Sequence, residues 1–141
     1  MPTNNLLLDT HIFIWLMNGD SNLSKKAQQL IEKAHKNGNL FISAISIWEV
    51  SMLEEKQRIV LNKPCLEWIK SALHYGIQLS PLSPEIAVES CHLPQYAAGD
   101  PADRIIIATA RIESLLLLTC DERILMYGKQ NLVSTFNAGV S

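Results

Sequence analysis

A chain of 141 residues, of which 48% are hydrophobic, is long enough to bury a core of its own, and its apolar runs are too short to cross a bilayer. Its formal net charge of -2 lacks the basic excess of proteins that coat nucleic-acid duplexes. We therefore expect one domain over residues 1–141 and no membrane partner.

The N-terminal apolar stretch over residues 6–17 does not resemble a secretory signal. No Lys or Arg precedes it, and Asp9 and His11 interrupt it. The three cysteines show no spacing typical of metal ligands or of paired disulfides. These features predict a cytoplasmic protein with reduced thiols.

Short apolar runs alternate along the chain with longer amphipathic segments. The runs predict strands at residues 5–9, 40–43, 77–80, 115–119 and 132–135. The longer segments predict helices at residues 10–18, 24–37, 45–57, 65–75, 84–92, 102–113 and 122–127. Glycines predicted to end helices are Gly38, Gly76 and Gly128. Apolar strands separated by helices are typical of a covered parallel sheet, so we predict an α/β fold with three α/β/α layers and about five parallel strands.

Two aspartates stand where predicted strands end. Asp9 closes the first strand, and Asp121 follows the fourth. The carboxyl ends of parallel strands meet at one edge of the sheet, which is where open α/β sheets bind ligands. Taken alone, each aspartate is more simply interpreted as a helix N-cap.

Two further acids lie on apolar faces of predicted helices. Glu49 shares a face with Ile45 and Leu53, and Asp103 shares one with Ile107. A charge that faces a core needs a cation or several hydrogen-bond donors, because an unpaired buried charge is costly. Both acids are therefore candidate functional residues.

Asp100 complicates the second of these segments. It stands three residues before Asp103 and is followed by Pro101, which is typical of an N-cap with proline at the first helical position. We interpret Asp100 as a cap and Asp103 as functional, and which of the two lies closer to an ion stays open. Carboxylates gathered from separate segments repel one another without a cation, and all-oxygen ligation suits Mg²⁺ or Mn²⁺ better than zinc.

The candidate acids fall within short segments that are spread over most of the chain. The segments are Leu7-Leu8-Asp9-Thr10-His11, Ser46-Ile47-Trp48-Glu49-Val50, Asp100-Pro101-Ala102-Asp103-Arg104 with Ile107-Ala108-Thr109-Ala110, and Leu118-Thr119-Cys120-Asp121. In this order and spacing they resemble the PIN-domain ribonucleases, and specifically the VapC-type toxins of bacterial and archaeal toxin-antitoxin pairs.

The resemblance implies a metal-dependent endoribonuclease. Residues implied to hold Mg²⁺ or Mn²⁺ and to activate the water that cuts RNA are Asp9, Glu49, Asp103 and Asp121. Thr10 and Thr119 are implied as hydroxyls that support these acids. The resemblance also implies a homodimer and a cognate antitoxin protein that blocks the site, often with a basic or bulky side chain.

Several assignments have alternatives. Candidates for phosphate contacts with RNA are Arg104, Arg111, Arg123 and Lys129, and a solvated helix charge is the alternative for each. We interpret His11 as a residue packed in an apolar helix rather than as a ligand. The alternative function is a non-catalytic regulatory module that pairs with an antitoxin-like protein and whose carboxylates only cap helices. The presence of all four acids argues against it.

Overall fold

The computed structural model of the chain describes residues 5–96 and 99–140. The strands are β1 (Leu6–Leu8), β2 (Leu40–Ser43), β3 (Gln78–Ser80), β4 (Leu116–Thr119) and β5 (Thr135–Asn137). The helices are α1 (Thr10–Asn18), α2 (Lys25–Lys36), α3 (Ala44–Glu55), α4 (Cys65–Tyr75), α5 (Pro84–Cys91), α6 (Pro101–Glu113) and α7 (Glu122–Lys129). None of these helices combines the length and the apolar character needed to span a bilayer.

The strands form a parallel sheet in the order β3-β2-β1-β4-β5. β1 is central, with Leu6 opposite Leu40 of β2 and Leu116 of β4. Within the described ranges this confirms the predicted parallel sheet of about five strands. The carboxyl ends of β1 and β4 lie side by side, so the residues that follow them are neighbours.

Two apolar clusters cover the two faces of the sheet. Leu8 faces one cluster, which includes Phe13 of α1, and Leu7 faces the other, which includes Ile106 and Ile107 of α6. Alternate strand residues point to opposite faces, which is why neighbours in β1 serve different clusters. Each fully buried aliphatic side chain contributes about 1.5–3 kcal/mol to the free energy of unfolding. Because apolar clusters cover both faces of the sheet, the predicted three-layer α/β/α architecture is confirmed.

The C-terminal elements differ from their prediction, whereas the other strands and helices agree within about two residues at each end. β5 begins at Thr135 rather than at Leu132, because Leu132 and Val133 pack into the second cluster from the connection that precedes the strand. Gly128 does not end α7, which continues to Lys129. A Cβ atom on Gly128 would lie 2.1 Å from Thr135 Oγ1, so glycine allows α7 to approach β5 closely.

This approach predicts that Gly128→Ala destabilises the protein. Overpacking of this kind costs about 1–3 kcal/mol, which exceeds the roughly 1 kcal/mol by which alanine favours a helix over glycine. We expect a lower urea midpoint with an unchanged slope. Thr135→Ala removes the two closest clashing atoms, so the double variant should recover most of the loss. An unaltered midpoint in Gly128→Ala would contradict the close approach.

Candidate active site

Asp9 is buried at the carboxyl end of β1, where it also caps α1. Asp9 Oδ1 accepts the backbone N–H of Thr10 at 2.8 Å, and Asp9 Oδ2 accepts the hydroxyl of Thr119 at 2.6 Å. The Asp9 backbone N–H donates to the carbonyl of Leu118 at 2.9 Å. Burial raises the pKa of Asp9, and the bonds from Thr119 and Thr10 oppose that rise. The carboxylate is thus held between the ends of β1 and β4.

Thr10 connects this strand end to α3. Its hydroxyl donates to Glu49 Oε1 at 2.5 Å, and its oxygen lies 2.9 Å from Ser46 Oγ. A threonine hydroxyl has one proton, which here goes to Glu49, so Ser46 must be the donor to Thr10. Burial raises the pKa of Glu49, the bond from Thr10 lowers it, and the charge of Asp9 raises it further.

Asp121 is the N-cap of α7 at the carboxyl end of β4. Asp121 Oδ1 accepts the backbone N–H groups of Arg123 at 2.8 Å and of Ile124 at 3.3 Å. The Asp121 backbone N–H donates to Thr119 Oγ1 at 3.0 Å, while the same hydroxyl donates to Asp9. Thr119 therefore joins Asp9 and Asp121 through one oxygen atom.

Asp100 and Asp103 lie at the start of α6 and differ in their hydrogen bonds. Asp100 caps the helix, because its Oδ1 accepts the backbone N–H of Ala102 at 2.9 Å. Asp103 is partly buried, and its carboxylate accepts no hydrogen bond from any residue within 5–96 or 99–140. Burial, followed by the negative charges of the four neighbouring acids, raises the pKa of Asp103 to about 7.

These acids share one cavity of about 310 Å³. Its lining residues are Asp9, His11, Trp15, Glu49, Asp100, Asp103, Cys120 and Asp121. No Lys or Arg is among these lining residues in the described part of the chain. A cavity with this lining is strongly negative, so it favours a cation and repels a phosphate that approaches without one.

A larger cavity of about 990 Å³ lies near the opposite ends of the strands, where Leu115 and Leu116 lead into β4. Its charged lining residues, Glu89 and Arg111, pair with each other at 2.6 Å between Glu89 Oε2 and Arg111 Nε. Their charges therefore offset each other. The smaller cavity, with its uncompensated acids, has the stronger chemical case for a functional site.

The donor set of the smaller cavity fits a hard divalent cation, because every acidic ligand offers oxygen. In the described part of the chain, no three His, Cys, Asp or Glu side chains are arranged to hold an ion as they stand. Two of the carboxylates, Asp9 and Glu49, are instead directed by hydrogen bonds from Thr119 and Thr10. Ion binding would therefore require small side-chain rotations.

The predicted phosphate contacts fall into two groups. Arg104 Nε donates to the Ser90 carbonyl at 2.8 Å and Arg104 Nη1 to the Tyr96 carbonyl at 2.9 Å, so this guanidinium fastens the loop before α6. Arg111 pairs with Glu89 away from the acidic cavity. In the structure both guanidinium groups contact protein groups, and neither lines the acidic cavity. The other two candidates, Arg123 and Lys129, are exposed on α7.

One residue that lines the cavity was misjudged in the sequence analysis, and two others that do not line it were missed. His11 is exposed and lines the cavity, so its interpretation as a packed residue was wrong. Ser46 was not singled out, although it stands one helical turn before Glu49. Tyr96 was also missed, because it lies in an irregular loop where no hydrophobic period indicates which side chains point inward.

Comparison with known proteins identifies the family. The PIN-domain family model matches residues 6–129. The chain belongs to the PIN-domain family. This confirms the resemblance drawn from the four acidic segments.

Individual relatives of this chain support the same family assignment. Ribonuclease VapC22 of Mycobacterium tuberculosis is 36% identical over 119 residues, which cover 84% of this chain and 88% of that protein. A toxin-antitoxin complex from Klebsiella pneumoniae contains a chain of 28% identity with a TM-score of 0.58, covering 83% of this chain and 87% of that one. A DNA-bound VapBC from Salmonella typhimurium matches with a TM-score of 0.68 over 94% of this chain and 96% of that one, but at 12% identity it supports the fold alone.

The raised pKa of Asp103 predicts how the metal-free protein responds to pH. Its folded-state pKa of about 7 exceeds the ordinary value of 3.8, so between about pH 4 and about pH 7 the folded state holds a proton that the unfolded chain has lost. The contribution of Asp103 to the free energy of unfolding therefore falls as pH rises through that window, and it is constant outside it. The pKa values of Asp9 and Glu49 are also raised, so these acids lower the stability in the same way as pH rises. We expect Asp103→Asn to flatten the fall in melting temperature measured in chelator.

The matched control is Glu113→Gln, which neutralises an exposed acid at the other end of α6. Its melting temperature should follow the wild-type pH dependence. Equal pH slopes for wild type and Asp103→Asn would show that Asp103 does not take up the proton.

Proposed function

We propose that this PIN domain is a metal-dependent endoribonuclease that hydrolyses RNA phosphodiester bonds and serves as the toxin of a toxin-antitoxin pair. The main support is the cavity in which acids from β1, α3, α6 and β4 meet at one edge of the sheet. The relationship to ribonuclease VapC22 supplies RNA as the substrate class. An antitoxin partner enters the proposal through the toxin-antitoxin relative. A homodimer enters it only as what the family resemblance implies.

Mg²⁺ or Mn²⁺ is the cofactor we propose for this cavity. Residues that would hold it are Asp9, Glu49, Asp103 and Asp121. We take Asp103 as the closer ligand of the α6 pair, because its carboxylate accepts no hydrogen bond from the described residues and both of its oxygens are available to an ion. When bound, the ion supplies Lewis-acid chemistry that polarises the phosphate and makes a water more acidic.

The protein residues orient the acids and move the proton. The hydroxyls of Thr119 and Thr10 direct their hydrogens at Asp9 and Glu49, which fixes the direction of these carboxylates. A carboxylate oxygen of Asp103 accepts the proton that the attacking water loses.

The size of the cavity favours single-stranded or looped RNA as the substrate. A pocket of about 310 Å³ admits one splayed segment of backbone but not a duplex. Arg123 and Lys129 on α7 are the remaining candidates for contacts to the flanking phosphates. Lys129 lines an adjoining groove that shares Cys120 with the acidic cavity.

RNA cleavage by purified variants tests the proposal. We expect Asp9→Asn, Glu49→Gln and Asp103→Asn each to slow Mn²⁺-dependent cleavage by about a hundredfold or more, the scale on which loss of one positioned electrostatic group slows an enzyme. Asp100→Asn should be milder than Asp103→Asn. Glu113→Gln should cleave like wild type. Wild-type rates in all three site variants would refute this active site, whereas a wild-type protein that cleaves no RNA would leave the non-catalytic binding module as the better account.

Thermal melting tests the metal site without reference to activity. An ion present at a hundredfold its dissociation constant stabilises the folded state by about 2.7 kcal/mol, and each kcal/mol raises the midpoint of a domain of this size by roughly 2–4 °C. At a pH above 7, Asp103→Asn should melt higher than wild type in chelator and respond less to Mn²⁺, because one repelling charge and one ligand are gone. If Mn²⁺ does not change the wild-type midpoint and Asp103→Asn melts lower than wild type, the result would indicate that the acids serve only as helix caps.

A further inference from the structure

Tyr96 buries a hydroxyl in the loop before α6 and packs against Arg104, the residue that follows Asp103. The residue is only 9% exposed, and its Oη atom has no hydrogen-bond partner among the described residues. A buried polar group without a partner costs about 1–3 kcal/mol, so folded proteins normally supply one. The functioning protein should therefore provide an acceptor for this proton.

Packing fixes the position of the Tyr96 ring. It meets the ring of Tyr127 edge to face, with centroids 5.0 Å apart and planes at 72°. Tyr127 is in turn anchored by its hydroxyl, which donates to the Pro94 carbonyl at 2.7 Å. The guanidinium carbon of Arg104 lies 5.7 Å from the Tyr96 ring centroid, and Arg104 Nη1 holds the Tyr96 carbonyl at 2.9 Å. Removal of the hydroxyl alone would leave these contacts intact.

The charges around Tyr96 are those of the cavity. Asp103, Asp121 and Asp100 act on the hydroxyl, with Arg123 opposing them. Burial, followed by the charge of Asp103, raises the pKa of Tyr96 to about 12. The hydroxyl therefore keeps its proton at neutral pH and is available as a donor.

Asp103 supplies the complementary group. The carboxylates of Asp9, Asp100 and Asp121 each accept at least one hydrogen bond, whereas Asp103 accepts none from the described residues. A buried donor without an acceptor thus lies within electrostatic reach of a carboxylate without a donor. The two groups are not hydrogen-bonded to each other in the structure.

We propose that Tyr96 is a positioning residue of this site, whose hydroxyl donates to the Asp103 carboxylate and fixes its orientation toward the divalent ion. The inference rests on the proposed function, because it requires a site that binds an ion. The hydroxyl is enclosed by protein, so it acts through Asp103 and does not contact RNA.

Tyr96→Phe and Tyr127→Phe form a matched pair, because each removes one hydroxyl and keeps a ring of the same interlocked pair. We expect Tyr96→Phe to weaken Mn²⁺ binding, measured by calorimetry, by about tenfold or more, the scale on which loss of a group that orients a metal ligand acts. At fixed, non-saturating Mn²⁺ its kcat should fall while its KM for RNA is unchanged. In chelator it should melt at or above the wild-type temperature.

Tyr127→Phe should behave in the opposite way. It loses the bond to the Pro94 carbonyl and should melt lower, yet bind Mn²⁺ and cleave RNA like wild type.

A spectroscopic measurement adds a readout that is independent of activity. Mg²⁺ should change the near-ultraviolet tyrosine absorption of wild type and of Tyr127→Phe, and this change should be absent in Tyr96→Phe. Wild-type Mn²⁺ affinity in Tyr96→Phe, or an undiminished absorption change, would overturn the proposal.

The two proposals fail in distinguishable ways. A wild-type protein that binds Mn²⁺ but cleaves no RNA would refute the ribonuclease function, while the affinity and absorption measurements would still decide the role of Tyr96. A wild-type protein that binds neither Mn²⁺ nor Mg²⁺ would overturn both. Normal cleavage together with unchanged metal affinity in Tyr96→Phe would overturn the role of Tyr96 alone.

Discussion

The carboxylate of Asp9 is buried at the end of the central strand, where an unsatisfied charge would be prohibitively costly. Two donors make the burial tolerable, namely the backbone N–H of Thr10 and the hydroxyl of Thr119. The Thr10 hydroxyl then continues the network to Glu49, and Thr119 accepts from the backbone of Asp121. One buried charge thereby links β1, β4, α1 and α3, and the cavity lies where these elements meet the start of α6.

Most of the fold could be predicted because local patterns determine it. Apolar runs marked β1 to β4, and amphipathic segments marked the helices, so these boundaries agree within about two residues. The last two elements were harder. The end of α7 and the start of β5 depend on the contact between Gly128 and Thr135, which no local pattern contains. The apolar pair Leu132 and Val133 looked like a strand, but tertiary packing places it in a connection.

The acids of the site could be predicted for the same kind of reason. Strand ends in a parallel sheet converge, which placed Asp9 and Asp121 together, and helical periodicity turned Glu49 and Asp103 inward. The partners of long or loop side chains followed no such rule. Arg104 resembles a phosphate-binding residue in sequence, yet two carbonyls of a neighbouring loop and helix accept its protons. The hydroxyl of Tyr96 gains its significance only from the charges that surround it in space.

Helix capping and ion binding are not alternatives at this site. Asp9, Asp100 and Asp121 are the N-caps of α1, α6 and α7, so three helix N-termini point toward the acidic cavity. Each N-terminus carries partial positive charge that stabilises a nearby carboxylate by about 0.3–1 kcal/mol, and these contributions offset part of the repulsion. Asp103 lies in the first turn of α6 but is not a cap, and its pKa is raised to about 7. The caps therefore help the acids to assemble without an ion, while the raised pKa of Asp103 reflects burial and repulsion that a divalent cation would relieve.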